Sequence, residues 1–332
     1  MGPRFKLSVL LVLATSSCAS TDGASPAVDA APAELAPLPR LDGAVSAGDA
    51  YDAGPPVHGQ VGPDGGSASR LYFAVVGDTR PAAVDDIAAY PSEILSLIYG
   101  RMDSLSPRPS FAVSTGDYQF SSAHGDAGGA QLDLYLAARS RYRGLLLPAM
   151  GNHECTGATA SNCGPGSVDG VPGALRAFQE KLLAPIGRAS PFYELDVDAL
   201  DRTWTSKFLV VAANAWSAEQ DAWLQAAMSR PTTYTFVVRH EPSYATAAPG
   251  VAPSEAIMAA HPYTLAICGH KHSYEHLRAR EIVVGNGGAP LTGSKSYGFA
   301  MVSQQADGSL AVDMLDYVSG RADPAFHFVV EP

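Results

Sequence analysis

From residue 70 onward, short apolar runs alternate with helical periodicity, and the runs keep ending in the same way. Leu71–Val76 reads as a strand that stops at Gly77-Asp78, and Phe111-Ala112-Val113 as a second that stops at Gly116-Asp117. Between them a helix runs through Ile94, Leu95, Ile98 and Met102, with Ser92 at the expected N-cap. A helix over Leu132–Tyr142 leads to the strand Leu145-Leu146-Leu147 and then to Gly151-Asn152-His153-Glu154. Phe192–Val197 and Phe208–Ala212 read as strands, and Glu219–Met228 as a helix with Trp223 and Leu224 on its apolar face. Thr235–Val238 leads into His240, and Leu265–Cys268 into Gly269-His270. Ile282–Val284, Phe299–Ser303 and Leu310–Leu315 make a strand-rich tail. Strand–helix units followed by strands predict an α/β fold of two packed mixed β-sheets flanked by helices.

Residues 1–69 follow another pattern. Arg4 and Lys6 precede the apolar run Leu7–Ala14 and the small residues Thr15-Ser16-Ser17-Cys18, which is the layout of a secretory signal. The run is too short to span a bilayer, which takes about 20 residues. Cys18 after two serines resembles a bacterial lipoprotein cleavage site, with simple secretion as the alternative. Residues 19–69 are rich in Ala, Pro, Gly, Asp and Ser, and residues 20–69 carry seven acidic groups against Arg40 alone. Such a segment lacks the apolar surface to offset its ordering entropy and is expected to be a disordered tether. The domain is therefore expected over residues 70–332.

Composition narrows the function. A formal net charge of −11 with no basic cluster argues against a nucleic-acid or anionic-membrane partner, so any membrane attachment is expected through the N-terminal lipid alone. The chain is expected to be a monomer. Of its four cysteines, Cys155 and Cys163 lie in a Gly/Asn/Ser-rich loop and are expected to pair in an oxidising compartment. Cys268 reads as a buried free thiol.

The strand ends carry the chemistry. Polar clusters at the carboxyl ends of strands are where open α/β sheets bind ligands. Asp78 and Asp117 offer carboxylates, Asn152 an amide oxygen, and His240, His270 and His272 imidazoles. Hard oxygen with imidazole suits Mn, Fe, Zn or Ni. One carboxylate can bridge two ions about 3.5–4 Å apart, which activate water and clamp a phosphate for in-line attack. A strand ending in Gly-Asp is by itself usually a turn, and a single His is usually structural. The joint occurrence in this order is what points to a site.

That order, in GDTR, GDYQF, GNHE, RHEP and GHKH, resembles the calcineurin-like metallophosphoesterase superfamily, which includes the purple acid phosphatases. Gln220-x-x-Trp223-Leu224 looks like the helix that precedes the lone-His strand in that family. The resemblance implies an αββα sandwich, a small phosphoester substrate and two divalent or trivalent metal ions. Asp78 and His272 would hold the first ion, Asp117 would bridge, and Asn152, His240 and His270 would hold the second. His153 would be the general acid toward the leaving oxygen, a role that needs a pKa near the working pH.

Two departures stand out. Most members have a histidine where this chain has Arg80, and purple acid phosphatases have a tyrosine where it has Phe120. Arg80 has no lone pair for a cation but can grip phosphate through paired N–H groups, or form an ion pair with a carboxylate such as Asp78. The first ion keeps only Asp78, Asp117 and His272 and is expected to bind more weakly than the second, since the neighbouring Tyr118 is out of register to substitute. Glu154, Glu241, Tyr244 and Tyr274 are expected to surround the ligands, His261 and His276 to be structural or surface residues, and Asn286-Gly287-Gly288 to turn near the site mouth. Three readings stay open: a phosphoester hydrolase with His153 and Arg80 in catalysis; a nucleotidase or sugar-phosphate phosphatase, disfavoured by the short stretch after Gly320; and a surface lipoprotein with a degenerate site.

Overall fold

A computed structural model describes residues 51–122, 127–156 and 172–332. The predicted signal, most of the predicted tether, Cys163 and most of residues 155–172 lie outside them. In chain order the strands are β1 (Gly59–Gly62), β2 (Gly65–Ala68), β3 (Tyr72–Val76), β4 (Phe111–Ser114), β5 (Leu145–Pro148), β6 (Tyr193–Ala199) and β7 (Thr205–Val211). They continue as β8 (Tyr234–Arg239), β9 (Leu265–Cys268), β10 (Tyr274–Arg278), β11 (Glu281–Val284), β12 (Gly298–Gln304), β13 (Leu310–Asp316) and β14 (Phe328–Val330). The α-helices are α1 (Ser92–Ser104), α2 (Ala127–Arg139), α3 (His153–Thr156), α4 (Pro172–Phe178), α5 (Ala218–Ser229) and α6 (Val251–Ala259).

Among the described residues the strands form two mixed sheets. One has eight strands in the order β1-β2-β6-β7-β8-β9-β11-β10, the other six in the order β14-β13-β12-β3-β4-β5. Within them β3, β4 and β5 run parallel, as do β7, β8 and β9, so each sheet brings several carboxyl ends to one edge.

Alternation along β7, β8 and β9 explains the layering, because successive side chains on a strand point to opposite faces. Phe208, Val210, Phe236, Val238, Leu265 and Ile267 enter the core shared with β3 and β4. Leu209, Val211, Val237 and Ala266 face the other way and meet Leu224 and Met228 of α5 and Ile257 and Met258 of α6. These strands are apolar on both faces because both faces are covered.

Four phenylalanines join the sheets. Phe73 on β3 stacks on Phe111 on β4 at 5.2 Å, and Phe208 on β7 stacks on Phe236 on β8 at 4.5 Å. Edge-to-face contacts of 5.0–5.2 Å connect the two pairs across the sandwich. On α1, Ile94, Leu95, Ile98, Tyr99 and Met102 are buried, and the Tyr99 hydroxyl meets that of Tyr135 on α2 at 2.7 Å.

Several expectations need correction. Ser92 is the first helical residue of α1 rather than its cap, and Pro91 precedes it without a capping side chain. The ordered fold begins before residue 70, since β1 and β2 form a hairpin that adds to β6. Gly59 at φ 103° and Gly65 at φ 101° permit that close pairing, where a Cβ would strike neighbouring carbonyls. Arg70 then ties residues 53–55 down by donating to the carbonyls of Ala53 and Pro55. Backbone hydrogen bonds recruit this segment, with Ala53, Val61 and Ala68 as its few buried core side chains.

Candidate metal centre

All five polar clusters leave the carboxyl ends of strands, three from the six-stranded sheet (β3, β4, β5) and two from the eight-stranded one (β8, β9). The loops are zipped to one another by backbone bonds. Asp78 N–H donates to Gly116 O at 3.0 Å, Thr79 N–H to Asp117 O at 2.9 Å, and Gly269 N–H to His240 O at 2.8 Å. Asp78, Asp117 and His270 sit in left-handed backbone at φ 56°, 58° and 71°. Each such non-glycine residue costs about 1–3 kcal/mol, and such strain concentrates at functional sites. Here it turns side chains of three separate loops toward one point. Gly151 is required at that point: a Cβ there would lie 2.2 Å from Asp117 Oδ1.

The side chains converge. Asp117 Oδ1 lies 3.3 Å from His240 Nε2, which is 3.2 Å from Asn152 Oδ1, and that oxygen is 3.0 Å from His270 Nδ1. Asp117 presents its other oxygen to the opposite side, where Oδ2 lies 3.7 Å from Arg80 Nε and 3.8 Å from His153 Nε2. Asp78 accepts His270 N–H at 2.9 Å on Oδ2, and its Oδ1 is 3.7 Å from His272 Nε2. Oxygen and nitrogen donors of Asp78, Asp117 and His240 all fall within 4.8 Å of one another.

Neighbouring groups aim these donors. His240 Nδ1 pairs with Thr115 O at 2.8 Å and His272 Nδ1 with Pro290 O at 2.8 Å. A carbonyl accepts only from N–H, so both rings carry a proton on Nδ1 and turn Nε2 inward, the atom left to bind a metal once it is deprotonated. Glu154 is a clamp: Oε2 accepts the N–H groups of Asp117 and Gly151 at 2.9 and 2.8 Å, and Oε1 accepts that of Tyr118 at 2.8 Å. Arg239, buried on β8, donates to Glu241 O, Ser254 and Glu255 and so fixes the turn carrying His240 to α6.

The electrostatics suit a cation. Burial pushes the Asp78 carboxyl well above its ordinary range, and the Asp117 charge adds to this. Asp117 is held well below that range despite its burial, by His240, His153 and Arg80. Burial and the His240 charge lower His270 to about 4, so it is neutral and able to donate a lone pair at physiological pH. Burial would lower His240, but Asp117 and Asp78 outweigh it and raise the ring. Oδ1 of Asp78 is buried without a hydrogen-bond partner. Two buried carboxylates beside inward-facing imidazole nitrogens, one carboxylate oxygen unpaired, fit a metal ion, whose binding would displace the His240 Nε2 proton.

Some residues differ from expectation. Arg80 pairs with Asp117 rather than Asp78. Tyr118, as expected, is no substitute ligand: it is buried and its hydroxyl donates to Ala149 O at 3.0 Å. Glu241, expected only beside the ligands, has a carboxylate oxygen within 4.8 Å of the His240 and His270 nitrogens; one of its oxygens accepts from Asn214 and the other has no partner. An acidic residue directly after the lone histidine was the available signal. Tyr274 packs on Phe326, Tyr244 is exposed, and His276 stacks on Phe328 at 3.7 Å, away from ligand duty. Residues 287–292 run along the site, with Gly287 N–H on Gly77 O, Ala289 N–H on Asp78 O and Thr292 N–H on His272 O. Cys155 is buried and disulfide-bonded, while its predicted partner Cys163 is outside the described residues. Cys268 is a buried free thiol.

Two mixed sheets that bring carboxylates, an amide and imidazoles together at their strand ends give the metallophosphoesterase sandwich fold. The chain belongs to the calcineurin-like phosphoesterase family, whose model matches residues 71–274, more than half of its length. Among solved structures it is similar to a purple acid phosphatase from yellow lupin (Lupinus luteus) seeds, with a TM-score of 0.56 and 14% identity over 80% of this chain and 55% of the lupin chain. It thus spans about 55% of that enzyme's length. It is also similar to GAP50, the anchor in the inner membrane complex of Plasmodium, with a TM-score of 0.52 and 15% identity over 79% of this chain and 89% of that one. A dimetal phosphatase from Danio rerio follows, with a TM-score of 0.50 and 14% identity over 79% and 98%. No curated protein matches the chain. At these identities the structures establish the fold alone.

Proposed function

We propose that this protein hydrolyses a small phosphoester, and that it does so outside the cytoplasm as an exported, lipid-anchored or secreted, protein. The observation that carries the reading is the convergence of Asp117, Asn152, His240 and His270, from both sheets, within 3.0–3.3 Å contacts. These four would hold an ion, which when bound supplies Lewis acidity and neutralises charge at the phosphate.

The remaining work falls to the chain itself. His153 is nearly buried, and its ring meets the edge of Phe120 at 4.5 Å, a contact that limits its rotation. From there it donates a proton to the leaving oxygen as water adds to phosphorus and the ester P–O bond breaks. Arg80 is half-buried at the same edge, where its N–H groups can pair with non-bridging phosphate oxygens. The half-buried His270, His272, Arg80 and Phe120 mark the side from which a substrate enters. Export rests on the basic start and apolar run at residues 4–14, and attachment on Cys18.

The test is turnover of mono- and diester nitrophenyl phosphates by the purified protein with Mn, Zn or Fe. Activity that is lost in His153→Ala and Asp117→Asn supports the reading. No turnover with any of the metals favours the second reading, a surface protein with a degenerate site. That second reading draws on Arg80 and Phe120 at ligand positions, and on the similarity to GAP50, described as an anchor.

A further inference from the structure

The two departures from the family's ligand pattern touch each other. The Arg80 guanidinium carbon lies 4.4 Å from the centroid of the Phe120 ring, a cation–π contact, so the positions where a histidine or a tyrosine would serve the first ion are joined as a pair. The same guanidinium reaches the groups that would hold that ion. Its Nε is 3.7 Å from Asp117 Oδ2, and its Nη2 is 3.4 Å from His272 Nε2. Because His272 Nδ1–H is committed to Pro290 O, Nε2 carries the ring's lone pair, and Nη2–H points a proton at it. The donor that a first ion needs is thus occupied by a cationic hydrogen-bond donor. A dication set among these atoms would also face a fixed positive charge at contact distance.

We propose that Arg80 replaces the first metal ion, so that the protein binds one metal per chain and the guanidinium supplies the second positive charge. The single ion takes Asp117, Asn152, His240 and His270, and Asp78 remains close enough to contribute, its donor within 4.8 Å of those of Asp117 and His240. The paired substitution sets this site apart from a decayed one. Arginine fills the space, neutralises the carboxylate that would have bridged, and rests on a ring with no hydroxyl to compete. Arginine is suited to this place because it stays charged and is weakly hydrated. The substrate class this implies is an ester whose phosphoryl group accepts planar N–H donors on one side.

This proposal rests on the hydrolase reading, but its test does not need turnover. The chelator-stripped full chain is saturated with Mn(II), freed of excess, and analysed for metal per chain and by electron paramagnetic resonance. One Mn per wild-type chain with a mononuclear six-line spectrum is expected. Arg80→His, which restores a ligand, should bind two with the spectrum of an exchange-coupled pair. Two Mn per wild-type chain, or Arg80→His and Arg80→Ala both remaining at one, would overturn it. Arg80→Ala also guards against a histidine variant that fails to fold, and circular dichroism of each sample confirms the fold. Nitrophenyl phosphate turnover on the same samples is read separately: a wild type holding one Mn without turnover sinks the hydrolase reading and leaves the stoichiometry standing.

Discussion

Phe208→Ala tests whether the phenylalanine core between the sheets holds the two halves of the site together. The ring is fully buried on β7, stacked on Phe236 at 4.5 Å and edge-on to Phe73 and Phe111 at 5.1 and 5.0 Å. Truncating a buried phenylalanine costs about 3–5 kcal/mol, and three aromatic contacts place this one at the upper end. That is a large share of the roughly 5–15 kcal/mol that keeps a domain folded, and at ~2–4 °C per kcal/mol it lowers the melting temperature by about 10 °C. Asp78, Asp117 and Asn152 follow strands of one sheet, His240 and His270 strands of the other, so loosening the sandwich should also weaken metal binding. Leu209→Ala is the control, because Leu209 packs on the outer layer with Leu224 and Met228. It should cost about 2–4 kcal/mol and leave metal affinity within twofold. Guanidinium unfolding in chelator gives the stability, and calorimetric titration gives the affinity. A Phe208→Ala loss under 1 kcal/mol, or an equal loss of metal affinity in Leu209→Ala, would refute the reasoning.

Two further outcomes follow from the geometry. Gly151→Ala places a Cβ 2.2 Å from Asp117 Oδ1, so metal content measured by plasma mass spectrometry should fall at least tenfold while the far-ultraviolet spectrum is retained. Glu154 has its pKa raised from 4.5 to about 7, by burial and then by Asp117, so the metal-free native state binds a proton more tightly than the unfolded chain does. Its contribution to stability is therefore full below about pH 4.5 and is lost as pH rises to about 7. Chelator-treated protein should grow easier to unfold across that window, and Glu154→Gln should flatten the slope; an unchanged slope would count against the assignment.

The legible parts of the chain were those where side chains alone decide the outcome. Leu265–Cys268 is a strand because four apolar residues stop at Gly269, and Asp78, Asp117, Asn152 and His240 could be placed because each follows such a stop. The β1–β2 hairpin was hidden because backbone pairing and positive-φ glycines form it, with few apolar side chains to mark it. Strand β10, Tyr274–Arg278, reads as polar because it is an edge strand with one face open. Helix α6 carries Pro253 in its first turn and alanines that blur its periodicity. At the site, candidate ligands could be named from the sequence, but their mutual contacts could not. Arg80 and Phe120 are forty residues apart, and only the folded chain shows that the two departures meet as one pair. The three N–H groups held by Glu154 belong to loops whose approach no local pattern encodes.

We propose that the buried Asp/His cluster is a catalytic metal site. The most direct measurement is metal titration of the chelator-stripped protein with nitrophenyl phosphate turnover followed at each point, for the wild type and His240→Ala. Turnover should rise in proportion to bound metal in the wild type, and both should be absent in His240→Ala. Turnover independent of metal, or persisting in His240→Ala, would contradict the account.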